Sequence, residues 1–160
     1  MALIFITTSL MPLLSAMLML KRTDNNTLQM HSKEIRSTPL FSNFLYYAMA
    51  TYFIYTANLP EVLWRLMLAF SVSAFLLWLI NFEMKISLHA AGAGALVALI
   101  LALGLQFKVG VAFEFSLACL IAGLILSARL IAEAHSTFEL YAGFFIGAIP
   151  VLLLLLLGSK

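Results

Sequence analysis

Six stretches of this chain are apolar over the length of a bilayer's hydrocarbon core, and its few charges fall between them: Ala2–Leu20, Phe41–Ala57, Val62–Ile80, Ser87–Gln106, Val111–Ile131 and Thr137–Leu157. About 20 residues at about 1.5 Å rise per residue cross some 30 Å of hydrocarbon. Inside lipid every backbone polar group must be satisfied within its own segment, so each stretch is expected to be helical. Only 10% of the 160 residues are charged, against about 25% in soluble domains. The expectation is an all-α integral membrane protein, a single domain over 1–160 with six transmembrane helices. A net charge of +2 is too small to argue for nucleic acid.

The first stretch is followed by Lys21-Arg22 and has no basic residues before it and no convincing cleavage site. It therefore reads as a span and not as a signal peptide. The one cysteine, Cys119, lies in an apolar run and is expected to be a small buried hydrophobe. A polar loop over 21–40 holds Asp24, Asn25, Asn26, His31, Lys33, Glu34 and Arg36. Asn58-Leu-Pro60 and Lys108-Val-Gly110 punctuate later spans. With six spans, the connections at 21–40, 82–86 and 132–136 share one side of the bilayer. Lys33, Arg36, Lys85, His89, Arg129 and His135 can then meet at one surface, leaving Arg65, Lys108 and Lys160 on the other. Ala90 to Ala95 and Gly143-x3-Gly147 are small-residue runs that let helices approach closely. They are expected to pack the bundle internally, with a homodimer seam as the second use.

Ionisable groups at a bilayer boundary are costly unless paired or given a task, and two segments carry them. In Lys85-Ile-Ser87-Leu-His89, Ser87 is placed to cap a helix whose N-terminus attracts anions. Lys85 adds a point charge outside that helix, and His89 in its first turn can donate a proton. The plainer reading is that Ser87 only caps and Lys85 only snorkels. In the second segment, Arg129 offers a planar fork to phosphate oxygens. His135 can act as a nucleophile, and Glu139, four residues on, can fix its tautomer. Ser136-x-x-Glu139 is equally a capping-box pattern. Glu133, four residues after Arg129, is expected to pair with it. Glu61 and Glu114 suit the first turns of their helices, and Trp64, Trp78, Tyr46, Tyr47, Tyr52 and Tyr55 read as interfacial or packing aromatics.

Together the two segments resemble the type 2 phosphatidic acid phosphatase superfamily of membrane lipid phosphatases. That family carries Lys-x6-Arg-Pro, then Pro-Ser-Gly-His, then Ser-Arg-x5-His-x3-Asp. Here Ser87-Leu88-His89 is similar to the second motif, and Arg129-x5-His135-x3-Glu139 to the third, followed by Tyr141-Ala-Gly143. The resemblance covers Lys85 to Gly147 and extends weakly over Lys33–Pro39. Leu88 stands where the family has glycine, Ile86 where it has proline and Glu139 where it has aspartate, and Ala128 separates Ser127 from Arg129. The first motif is not intact; Lys85 or the Lys33-to-Arg36 segment would supply its cations.

The resemblance implies a six-helix bundle of the phosphatase kind. It also implies a metal-independent reaction without cofactor on a lipid phosphate, in which His135 becomes phosphorylated. Glu139 would orient His135, and His89 would protonate the leaving group. Arg129, Lys85 and Ser87, with Lys33 and Arg36 from the other loop, would neutralise the phosphate. It further implies an outward-facing site at the surface of a bacterial inner membrane, whereas the basic residues on that side point inward by the positive-inside rule. The departures motivate a second expectation, a non-catalytic scaffold or subunit retaining the phosphatase fold. No inverted repeat or broken helix suggests a transporter.

Overall fold

A computed structural model describes Leu14, Met17 and residues 33–157, with the backbone alone for 33–36. Its helices are α1 (Lys33–Thr56), α2 (Glu61–Ile80), α3 (Leu88–Phe107), α4 (Ala112–Ile131) and α5 (Thr137–Leu156). They form two compact units, one ending at Glu83 and one beginning at Met84. The fold is all-helical among the described residues, and α2, α3, α4 and α5 are long and apolar enough to cross a membrane.

The last four expected stretches match α2 to α5 within one residue at each end. The first stretch apart from Leu14 and Met17, and the polar segment 21–32 with its His31, lie outside the described residues. The second is helical but begins at Lys33, not Phe41, and runs through Pro39, so the polar loop gives way to helix well before residue 40. α1 is not among the helices apolar enough to span. Asn43, Thr51 and four tyrosines dilute its apolar residues. The expectation of six spans is therefore met for four.

In the first unit, α1 and α2 pack antiparallel around Ala50, Ile54 and Met67. An aromatic run of Phe41, Phe44, Phe75 and Trp78 joins them towards one end, with ring centroids 5.1–5.9 Å apart. The Trp78 indole N–H donates to Ser37 Oγ at 3.0 Å, a partner that a part-buried tryptophan needs. Glu61 opens α2 and accepts from Arg65 Nε at 2.9 Å one turn later.

In the second unit, α3 and α5 are the most extensive helix pair, and small residues set their distance. A Cβ on Gly94 would collide with the Phe144 carbonyl, one on Gly147 with the Ala91 carbonyl, and one on Gly143 would come within 2.6 Å of the Ser87 carbonyl. The expected internal use of Gly143-x3-Gly147 is thus what these helices show. α5 buries Leu140, Gly143, Gly147, Val151 and Leu155, a three-to-four spacing that keeps one stripe inward. α4 buries only Ala118 and Ala122. Phe113, Leu120 and Leu124 lie on its open side, as lipid-facing residues would. Cys119, expected inside, is exposed. It follows Ala118 directly, and one helical step turns it away from the narrow buried stripe.

Three helix ends turn on a non-glycine residue in the left-handed region: Asn58, Lys108 and Glu133. After α4, Glu133 N–H bonds the Leu130 carbonyl at 3.0 Å and Ala134 N–H bonds the Arg129 carbonyl at 3.2 Å. This is a Schellman closure with Glu133 at the position glycine usually takes.

Candidate functional site

The Schellman turn and two serine caps assemble a polar cluster at one end of the second unit. Ser87 is fully buried and caps α3, its Oγ accepting from Ala90 N–H at 3.3 Å. Ser136 caps α5 in a complete capping box: its Oγ accepts from Glu139 N–H at 3.3 Å, and Glu139 Oε2 accepts from Ser136 N–H at 2.9 Å. Between the caps lies His135, whose side chain is only 5% exposed.

Nδ1 of His135 is 3.1 Å from the Lys85 carbonyl oxygen and 3.3 Å from Glu139 Oε2. A carbonyl oxygen can only accept, and so can a carboxylate. Nδ1 therefore carries the proton and Nε2 the lone pair. Burial pushes the imidazole below the ordinary histidine pKa; the Lys85 carbonyl and Glu139 pull it upward, and the charge of Arg129 lowers it further. The outcome is a predominantly neutral ring near neutrality, with Nδ1 tethered and Nε2 without a partner among the described residues.

The capping-box and tautomer-fixing readings of Glu139 hold together. One oxygen, Oε2, serves both Ser136 N–H and His135 Nδ1. Lys85 contributes through its backbone, a role that side-chain chemistry in the sequence does not signal. The Ser87 N–H faces the Glu139 carbonyl at 3.5 Å, and Gly143 admits the Ser87 carbonyl against α5. These contacts join the 84–87 and 132–136 connections at one end of the unit, as helix parity predicts.

Arg129 is half-buried near the end of α4, and its charge reaches His135. Its Nε is buried without a hydrogen-bond partner among the described residues. The expected Arg129–Glu133 pair does not form. The left-handed Glu133, with φ of 49°, leaves the helix path that an i,i+4 pair requires.

His89 goes elsewhere. It is exposed and lines a groove with Leu88, Gly92, Ala93, Leu96 and Ile125, none of which belongs to the His135 cluster. At about 100° per residue, the groove residues and the α5-facing set of Ser87, Ala90, Ala91 and Gly94 occupy opposite sides of α3. The structure thus brings His135, Glu139, Ser87 and the Lys85 backbone together, sets Arg129 in electrostatic range, and leaves His89 apart. Lys33 and Arg36 belong to the other unit, at the start of α1, and their side chains lie outside the described residues.

No family profile, no curated protein and no solved structure matches this chain.

Proposed function

We propose that this chain is an integral membrane phosphatase acting on a lipid phosphate or diphosphate through a phosphohistidine at His135. One observation carries the reading: a buried histidine whose Nδ1–H is held by two acceptors, so that Nε2 is free as a nucleophile. Nε2 attacks phosphorus, the bond from phosphorus to the leaving oxygen breaks, and that oxygen takes a proton from water as it leaves. Water then cleaves the phosphorus–nitrogen bond and restores the ring. Glu139 stabilises the imidazolium as it forms. The Arg129 guanidinium, with Nε lacking a partner among the described residues, supplies charge for the equatorial oxygens, helped by Lys85 and the capped start of α3 at Ser87. The substrates this suits are polyprenyl diphosphates, phosphatidate, phosphatidylglycerophosphate and phosphorylated glycolipids. The site lies at the membrane surface, facing outward in a bacterial inner membrane.

The test is phosphate release from a panel of such lipids by detergent-solubilised protein, with and without a chelator. Wild type releases phosphate in both conditions, and His135→Ala loses at least about a thousandfold. An inactive wild type across the panel, or an undiminished His135→Ala, refutes the reaction.

One observation favours a second reading, a non-catalytic member that keeps the bundle without the chemistry. His89, which the resemblance would make the proton donor, lines a groove on the other side of α3. If His89→Ala and His135→Ala are both as silent as wild type while all three remain folded and membrane-bound, this second reading stands.

A further inference from the structure

Composition leaves α1 out of the spanning helices, but composition counts inward and outward residues alike. Only outward side chains meet lipid, and polar ones are tolerated where they face the protein. From Pro39 to Thr51 the exposed residues of α1 are Phe41, Leu45 and Met49, and all three are apolar. Phe53, one turn further, continues the same side. A helix lying flat in the membrane surface keeps a charged or polar face along its length. Between Pro39 and Thr51, α1 turns no such face outward.

The polar groups of α1 are met inside the helix pair. Thr51 Oγ1 donates to the Tyr47 carbonyl one turn back at 2.8 Å. The Phe44 carbonyl accepts from Ser71 Oγ of α2 at 3.3 Å. Asn43 Oδ1 is buried, away from lipid. α2 is apolar enough to cross, and α1 follows it closely. Phe41 meets Trp78, Phe44 meets Phe75, Tyr47 meets Phe70 and Tyr55 meets Trp64, with ring centroids 5.1–5.8 Å apart. A helix joined to a spanning neighbour from Trp64 to Trp78 shares the depth at which that neighbour lies.

Length and ends agree with this. The 24 residues of α1 run about 36 Å, more than the roughly 30 Å of hydrocarbon in a bilayer. Lys33, Glu34 and Arg36 open the helix, and Tyr52, Tyr55 and Thr56 lie exposed in its last turns. Charged residues and tyrosines both suit the headgroup layers. We infer that α1 crosses the membrane beside α2 as one hairpin, with Phe41, Leu45, Met49 and Phe53 against lipid hydrocarbon. Tyr52 and Tyr55 then sit among the headgroups on the side of the 57–60 connection, and Lys33 and Arg36 share the other side with Glu83. The inference does not rest on the reaction proposed at His135.

Single cysteines in the full-length chain test it, placed in a Cys119→Ser background because Cys119 is itself exposed. Sealed vesicles of one orientation are treated with a membrane-impermeant maleimide, before and after the membrane is opened. Leu59→Cys should react from one face only, and Glu34→Cys and Glu83→Cys only from the opposite face. Leu45→Cys and Met49→Cys, at exposed apolar positions, should react from neither face until detergent is added. Ala57→Cys is a second reporter for the 57–60 end, should Leu59→Cys fail to insert. Reaction of Glu34→Cys and the 57–60 reporter from the same face overturns the hairpin, as does reaction of Leu45→Cys or Met49→Cys in intact vesicles. Labelling as expected without phosphate release defeats only the reaction. Phosphate release with α1 labelled from a single face defeats only the hairpin.

Discussion

The imidazole of His135 is anchored to the backbone of Lys85, fifty residues earlier, through Nδ1 and the Lys85 carbonyl oxygen 3.1 Å apart. The contact separates what the Lys85 backbone does from what its side chain does. Lys85→Met leaves the carbonyl in place, so stability should stay within about 0.5 kcal/mol of wild type. Under the proposed reaction the lost charge should appear as a raised KM for the lipid phosphate, with kcat little changed. Thermal unfolding and steady-state kinetics check both halves. A large loss of stability would mean that the ammonium, not the carbonyl, holds this connection.

The depressed His135 pKa has a definite sign in stability. The unfolded chain takes up a proton at an ordinary histidine value near about 6.5, while the buried ring resists it. Below that pH the unfolded state binds more protons, so stability declines as pH falls, and the full contribution is present above it. Unfolding temperatures measured from about pH 5 to pH 8 should fall on the acid side, and His135→Gln should flatten that decline. An unchanged slope in the variant would show that the burial of His135 does not govern it.

Glu139 serves a cap and a histidine through one oxygen, and two substitutions divide these tasks. Glutamine can still accept from Ser136 N–H, so Glu139→Gln should fold nearly as stably as wild type. Glu139→Ala loses the box and should cost about 0.5–2 kcal/mol. In a serine-protease triad, removing the carboxylate's charge costs about ten-thousandfold because the tautomer is lost. Here the Lys85 carbonyl still holds Nδ1–H, so Glu139→Gln should lower phosphate release only by about ten- to a hundredfold. A loss as large as that of His135→Ala would show that the carbonyl does not hold the tautomer.

Glu133 offers a test in which two accounts differ in sign. A surface pair with Arg129 would make its replacement destabilising. A left-handed residue closing α4 makes Glu133→Gly stabilising by roughly 1 kcal/mol, the cost of placing a side chain in that region. The shift in chemical or thermal midpoint decides between them.

Gly147 sits against the Ala91 carbonyl, where a methyl group has no room. Gly147→Ala should therefore destabilise the second unit by about 1–3 kcal/mol or more, whereas Gly92→Ala and Gly123→Ala, on open surface, should not. Gly143→Ala should also reduce phosphate release, because it presses on the Ser87 carbonyl two residues from the His135 anchor. Equal tolerance at Gly147 and Gly92 would refute this account of the α3–α5 pair.

Local pattern in the sequence was enough for the all-helical class, the bounds of α2 to α5, the capping box at Ser136 and the internal use of Gly143 and Gly147. Hydrophobic length, serine caps and small-residue spacing act within a few residues, so they can be read along the chain. The pairing of His135 with Glu139 was legible for the same reason: four residues make one helical turn. What lay beyond local pattern was decided by tertiary packing. The Lys85 carbonyl reaches His135 because glycines let α5 approach the start of α3, and a backbone oxygen leaves no mark in residue identity. His89 parts from His135 because α3 turns about 100° at each residue and α5 covers only one of its sides. Whether two histidines that both sit near helix starts share a pocket depends on which face each helix buries, a property of the packed bundle and not of motif spacing.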